Sequence, residues 1–184
     1  SLNNVAYCLQ ALGREAEALS KYEAALAMNQ RMFPGDHPAL ATNLNNVAYC
    51  LSALGREAEA LPRYEAALAM RQRLFRGDHP DVGLSLHNVA YSLKRLDRPA
   101  EALDYARRAA AMAGRCLPYA HPWRVNFAHR AASLMLQAGL DEEAAAVAGE
   151  HGLDIATVRD GVARAASGPA SQPTTEPVSP PAGR

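Results

Sequence analysis

Apolar residues recur at spacings of three and four from the start of the chain. Leu2, Val5, Ala6, Leu9 and Leu12 share one helical face, and Gly13 follows as a stop. A second run, with Ala18, Leu19, Tyr22, Ala25 and Leu26 on one face, predicts a helix from about residue 15 to 33. Glu15 and Glu17 in its first turn and Arg31 in its last offset the helix macrodipole. Pro34-Gly35-Asp36-His37-Pro38 then breaks the pattern. Pro38 suits the first turn of a third helix, capped by Asp36 or His37.

The same words return at a period of 42. Leu2-Asn3-Asn4-Val5-Ala6-Tyr7 becomes Leu44-Asn45-Asn46-Val47-Ala48-Tyr49, then Leu86-His87-Asn88-Val89-Ala90-Tyr91, then a worn copy from Ala128 to Ser133. The first two copies agree at about three positions in four. The pattern divides residues 1–150 into four repeats, at about 1–37, 38–79, 80–121 and 122–150. Each holds a helix A and a helix B: 38–54 and 57–75, 80–96 and 99–117, 122–138 and 141–150 in the last three. Pro62 lies inside a helix B, where it removes one hydrogen bond. Asp97-Arg98-Pro99 replaces the Gly-Arg-Glu turn, with Asp97 expected as a cap. Ala106 and Ala148 stand where Tyr22 and Tyr64 stand earlier. Residues 151–166 read as a short capping helix, and the Pro- and Ser-rich 167–184 as a disordered tail.

Composition narrows the function. The chain is 49% hydrophobic but only 6% aromatic, so its core is alanine-rich and its helices lie close together. Nineteen basic and nineteen acidic side chains cancel, leaving no global field for nucleic acid or anionic lipid. No apolar run approaches the roughly 20 residues of a membrane span. Cys8, Cys50 and Cys116 are sparse and odd in number, and Ser92 takes the place of the first two in the third repeat. They read as free thiols of a reducing, cytoplasmic compartment. The chain starts within a helical pattern, so the face of Leu2, Val5 and Leu9 is expected to be partly bare and to self-associate or fray.

A small residue in helix A, a glycine turn, then Ala, Tyr and Ala along helix B resembles the tetratricopeptide repeat. In the second repeat these are Ala48, Gly55, Ala60, Tyr64 and Ala67. The long unit, with Leu44-Asn45-Asn46-Val47-Ala48 and Gly77-Asp78-His79-Pro80, is similar to the kinesin-light-chain type. The resemblance covers about residues 1–150. It implies an all-α, right-handed superhelical array (an α-solenoid) of antiparallel helix pairs, with the A helices on the concave side. It also implies that helix A asparagines hold an extended peptide there.

With Leu44, Val47, Ala48 and Leu51 directed to the core, Asn45, Asn46 and Tyr49 fall on the other faces of helix A. Three rows result: Asn4, Asn46, Asn88 and Arg130; Asn3, Asn45, His87 and His129; Tyr7, Tyr49, Tyr91 and Ser133. An amide donates and accepts together, so a row of them suits a peptide backbone of any sequence. Tyrosine adds flat apolar area with a polar tip. Arg130 and the histidines bias one end toward acidic side chains or a carboxylate. The bland alternative is that one Asn of each pair bonds the neighbouring repeat and sets the spacing.

Other chemistry is excluded or weak. His37, His79 and His121 recur one repeat apart, too far to share a metal ion, so they read as caps and no metal or cofactor is expected. Glu57 and Glu59 read as a solvated first turn. No phosphate loop, nucleophile elbow or Cys-x-x-Cys occurs. Arg63, Arg71, Arg73, Arg107 and Arg108 lie on B helices, away from the concave side, against RNA binding. The expectation is a non-catalytic scaffold that binds a protein or peptide. The alternative is the C-terminal regulatory array of a larger enzyme or signalling NTPase whose catalytic domain lies upstream of Ser1.

Overall fold

The structure, a computed structural model, describes residues 1–167; the expected tail from 168 onward lies outside the described residues. Those residues form nine α-helices and no strand. They fall into two units, one over Ser1–Arg76 and one beginning at Gly77.

The first unit holds two hairpins: α1 (Leu2–Ala11) with α2 (Glu15–Met32), and α3 (Pro38–Ala53) with α4 (Glu57–Leu74). The second holds α5 (Pro80–Arg95) with α6 (Pro99–Cys116), α7 (Pro122–Gln137) with α8 (Asp141–Glu150), and α9 (Ile155–Ser167). Odd-numbered helices up to α7 are the A helices of the repeat. α3 packs between α2 and α4, and α7 between α6 and α8. Helix α4 runs through Pro62 at 18 residues, the length of α2 and α6.

Alanine makes the close approach possible: Ala18, Ala48, Ala60, Ala67, Ala90, Ala102, Ala109, Ala128 and Ala132 are fully buried. Tyr22 and Tyr64 fill the first unit's hairpin cores, each 1% exposed. The Tyr22 hydroxyl donates to Gln10 Oε1 at 2.8 Å, which satisfies the one polar atom the ring brings inside. In the second unit the equivalent positions hold Ala106 and Ala148, and the bulk comes instead from an aromatic stack. Phe127 packs on His87 at 4.5 Å between centroids and on Trp123 at 6.4 Å.

The Gly-Asp-His-Pro loops have a divided task. His37, His79 and His121 each cap the following A helix, their Nδ1 accepting from the N–H of Ala39, Asp81 and Trp123 at 3.1, 3.1 and 3.2 Å. The aspartates do not cap. Asp36 accepts a two-pronged bond from Arg73 at the end of α4, and Asp78 one from Arg115 at the end of α6. The start of each A helix is thereby fastened to the end of its own B helix, and the guanidinium holds each carboxyl below its ordinary value. At the other end, Arg14, Arg56 and Arg98 grip Glu17, Glu59 and Glu101 within the turn between A and B.

Two expectations change. Asp97 is not a cap: it takes φ 57, the left-handed conformation adopted by Gly13, Gly55 and Gly139 at the same turn, and Arg98 occupies the N-cap of α6. Glu57 is not solvated. It is buried and accepts from the Ser52 hydroxyl at 2.8 Å, whereas Glu59 is exposed and paired with Arg56.

Candidate functional site

The rows of helix A are placed unequally. Asn4 and Tyr7 on α1 are exposed, and Tyr49 and Tyr91 are half-buried. Asn45, Asn46, His87 and Asn88 are buried, at 4, 5, 3 and 6% exposure, although the pattern put them on faces away from the core. A helical wheel has only one buried side, but an A helix flanked by earlier and later helices has several. In α3 even Asn43 is fully buried.

Within each unit the second row meets the next A helix. In the first, Asn3 Nδ2 donates to Asn43 Oδ1 at 3.2 Å. In the second, His87 stacks on Phe127. Both pairs are 40 residues apart and join the same two positions of the repeat, one as an amide bond and one as a ring contact. Pairs that set repeat spacing are what the bland alternative requires of this row, and Asn43 and Phe127 are the partners that a reading by 42-residue register overlooked. The signal for them was a polar or aromatic residue shifted two positions from the repeat words.

The first row behaves differently. Asn46 Oδ1 is buried and without a hydrogen-bond partner, a state that costs roughly 1–3 kcal/mol and is rare in folded proteins. In the second unit the row ends on Arg130, and here several groups converge. The Arg130 guanidinium lies 4.7 Å from the centroid of the Tyr91 ring, a cation–π contact between α7 and α5. Arg95 lies over the same ring at 5.7 Å and donates to the Tyr91 hydroxyl at 3.3 Å. Lys94 is next to it on α5, and His129 next to Arg130 on α7. Burial, then the Arg130 charge, pushes the Lys94 ammonium below its ordinary value. Burial, Arg130 and Lys94 together do the same to His129. Two guanidiniums thus share one aromatic ring, and Lys94, His129 and Arg130 press on one another, on a chain whose net charge is zero.

The remaining titratable and nucleophilic groups offer no second centre. Burial pushes the Cys50 thiol up to about 12, with Glu15 and Glu23 adding to it, so it is a packed side chain and not a nucleophile. Three of the arginines on B helices are engaged: Arg73 with Asp36, Arg107 with Glu143 and Arg108 with Asp104. Arg71 is buried. Among the described residues no group of three metal-ligating side chains is gathered, and no helix is long and apolar enough to cross a membrane.

Helix hairpins repeated along the chain, with polar and aromatic rows on their A helices, define a helical-repeat scaffold for protein interaction. The chain belongs to the tetratricopeptide repeat family, whose model matches residues 1–73 and again 42–115. The fold is similar to that of a putative kinesin light chain with nearly identical TPR-like repeats from Podosopora anserina. There the identity is 21%, the match covers 87% of this chain and 74% of that one, and the TM-score is 0.74. It is also similar to BtubC (BKLC) from P. vanneervenii, at 20% identity over 96% of this chain and 67% of that one, with a TM-score of 0.74. A Rap protein complexed with Competence and Sporulation Factor matches at 16% identity and a TM-score of 0.68, over 82% of this chain and 40% of that one. In fold the repeats are therefore like those of the putative kinesin light chain. No curated protein sequence matches the chain.

Proposed function

We propose that the chain is a non-catalytic scaffold that binds an extended peptide on the A-helix faces of its repeats, and that the second unit selects acidic side chains or a carboxylate. The observation that carries this reading is the basic platform around Tyr91. Arg95 from α5 and Arg130 from α7 both lie at the Tyr91 ring, and Arg130 presses on Lys94 and His129, so positive charge gathers here to meet an anionic group. The Tyr91 ring supplies flat apolar area beside that charge. In the first unit the corresponding positions are neutral. Asn4, Tyr7 and the half-buried Tyr49 suit backbone amides and apolar side chains, not anions. Asn3 and His87 serve as spacing contacts in this account, with Asn45 in the same register, while Asn46 and Asn88 are buried. The Rap protein supports the reading only as a fold relative described in complex with a factor.

Fluorescence anisotropy with a labelled, Glu-rich extended peptide tests it. Arg130→Glu is expected to weaken binding at least about tenfold, about 1.4 kcal/mol, whereas Arg63→Glu on α4 leaves it unchanged. Equal losses in the two variants, or no binding by the wild type, would sink the proposal.

A second reading rests on α1. Val5 is 49% exposed, while Val47 and Val89 at the same register are 2% and 0% exposed; Leu12 is 69% exposed. A second copy of the chain covers this face in our account, each copy offering the same apolar stripe. Sedimentation equilibrium should show a dimer that Val5→Asp dissociates; a wild-type monomer at all concentrations contradicts it.

A further inference from the structure

Arg124, in the first turn of α7, gathers the ends of two other helices. Its Nη1 donates to the carbonyls of Gly114 and Leu117 at the end of α6, at 3.2 and 3.1 Å, and its Nη2 to the Glu150 carbonyl at the end of α8, at 3.1 Å. These are carbonyls that a helix end leaves without an internal partner. Its Nε donates to His151 Nδ1 at 3.2 Å, and the guanidinium lies 5.2 Å from the Tyr119 ring centroid. His151 is the C-cap residue of α8, the first residue of the turn that leads to α9, and is only 4% exposed. Its ring sits against α6 because residue 114 is glycine; a Cβ there would approach His151 Cε1 to 3.2 Å.

The His151 contact differs in kind from the three carbonyl contacts. A carbonyl accepts at any pH, but an imidazole nitrogen accepts only while it carries no proton, and the guanidinium facing it never gives up its own. We propose that His151 and Arg124 form an acid-released latch: the neutral imidazole holds the α8–α9 turn on α6 and α7, and proton uptake by His151 frees that turn and α9 with it.

The groups facing His151 are Arg124 from α7, Arg115 from α6, Glu150 from α8 and Tyr119 from the loop between α6 and α7. The C-terminal end of α8 would ordinarily favour an imidazolium. Here Arg124 already occupies that end, so a second cation meets repulsion. Burial and Arg124 hold the proton affinity of His151 below the ordinary 6.5, with Glu150 opposing them less strongly. The sign follows directly. The released form binds the proton more readily than the docked form, so docking is complete at neutral pH and is lost as pH falls below 6.5. Helix α9 is suited to release because its anchoring is slight. Val158 is its one buried side chain among the described residues, and an exposed ion pair, Arg159 to Asp141, joins it to α8.

Hydrogen exchange of the full chain tests the latch. Amides of α9 are followed at about pH 7.5 and about pH 5.5, corrected for intrinsic rates, and wild-type protection is expected to fall at least about tenfold at the lower pH. His151→Asn supplies an amide oxygen that accepts from Arg124 without titrating, and should hold α9 equally at both values. His129→Asn should behave as the wild type does. Equal wild-type protection at the two values, or a pH-dependent loss that persists in His151→Asn, overturns the proposal. Should His151→Asn weaken α9 at both values, an NMR titration of the wild-type ring decides. A midpoint below 6.5 that coincides with α9 release supports the latch. A midpoint at or above it, or one without release, refutes it.

Discussion

At the residue scale, single positions depart from the repeat for identifiable reasons. Asp97 adopts φ 57 where its three counterparts are glycine, a conformation that a Cβ disfavours. Asp97→Gly is therefore expected to stabilise the second unit by about 0.5–1 kcal/mol, read as a raised midpoint in thermal or urea melts. Two buried asparagines on α3 make a sharper contrast. Asn43 holds a bond from Asn3, so Asn43→Ala should cost about 1 kcal/mol or more. Asn46 Oδ1 has no partner, so Asn46→Ala should leave stability unchanged or slightly higher, within about 1 kcal/mol. Denaturant melts of both variants check the pair; a large loss in Asn46→Ala would make that residue a packing element.

At the scale of the element, boundaries were legible because periodicity, caps and breakers agree. Each A helix after α1 starts at Pro38, Pro80 or Pro122 behind a histidine whose ring nitrogen accepts from the N–H of the helix's second residue. His121→Ala should destabilise the second unit by about 1 kcal/mol in a thermal melt, and His121→Asn, which keeps a capping oxygen, by a fraction of that. What the pattern could not give was the burial of the middle A helices. Spacings of three and four reveal the face that meets a helix's own hairpin partner. The face that meets an earlier repeat carries the polar Asn43, bonded to Asn3, and such a residue leaves no mark in a pattern of apolar positions. The aspartates of the loops show a related limit. They stand beside the caps, but their partners, Arg73 and Arg115, are 37 residues away.

At the scale of the whole molecule, a chain of zero net charge places charges in pairs at both ends of its hairpins. Glu17, Glu59 and Glu101 hold the A–B turns, and Asp36 and Asp78 hold the other ends of the hairpins. Against that background Arg95 and Arg130 at the Tyr91 ring, with Lys94 and His129 beside Arg130, carry the peptide-binding proposal. The family membership was legible from repeated words, and so was a basic bias at Arg130 and His129; Lys94 and Arg95 were not, because they belong to no row. The most direct measurement is a residue-resolved NMR titration of the labelled chain with a Glu-rich peptide. The account predicts amide shifts concentrated at residues 88–95 of α5 and 126–133 of α7, reduced by added salt. Shifts confined to the B helices, or unaffected by Arg130→Glu, would contradict it.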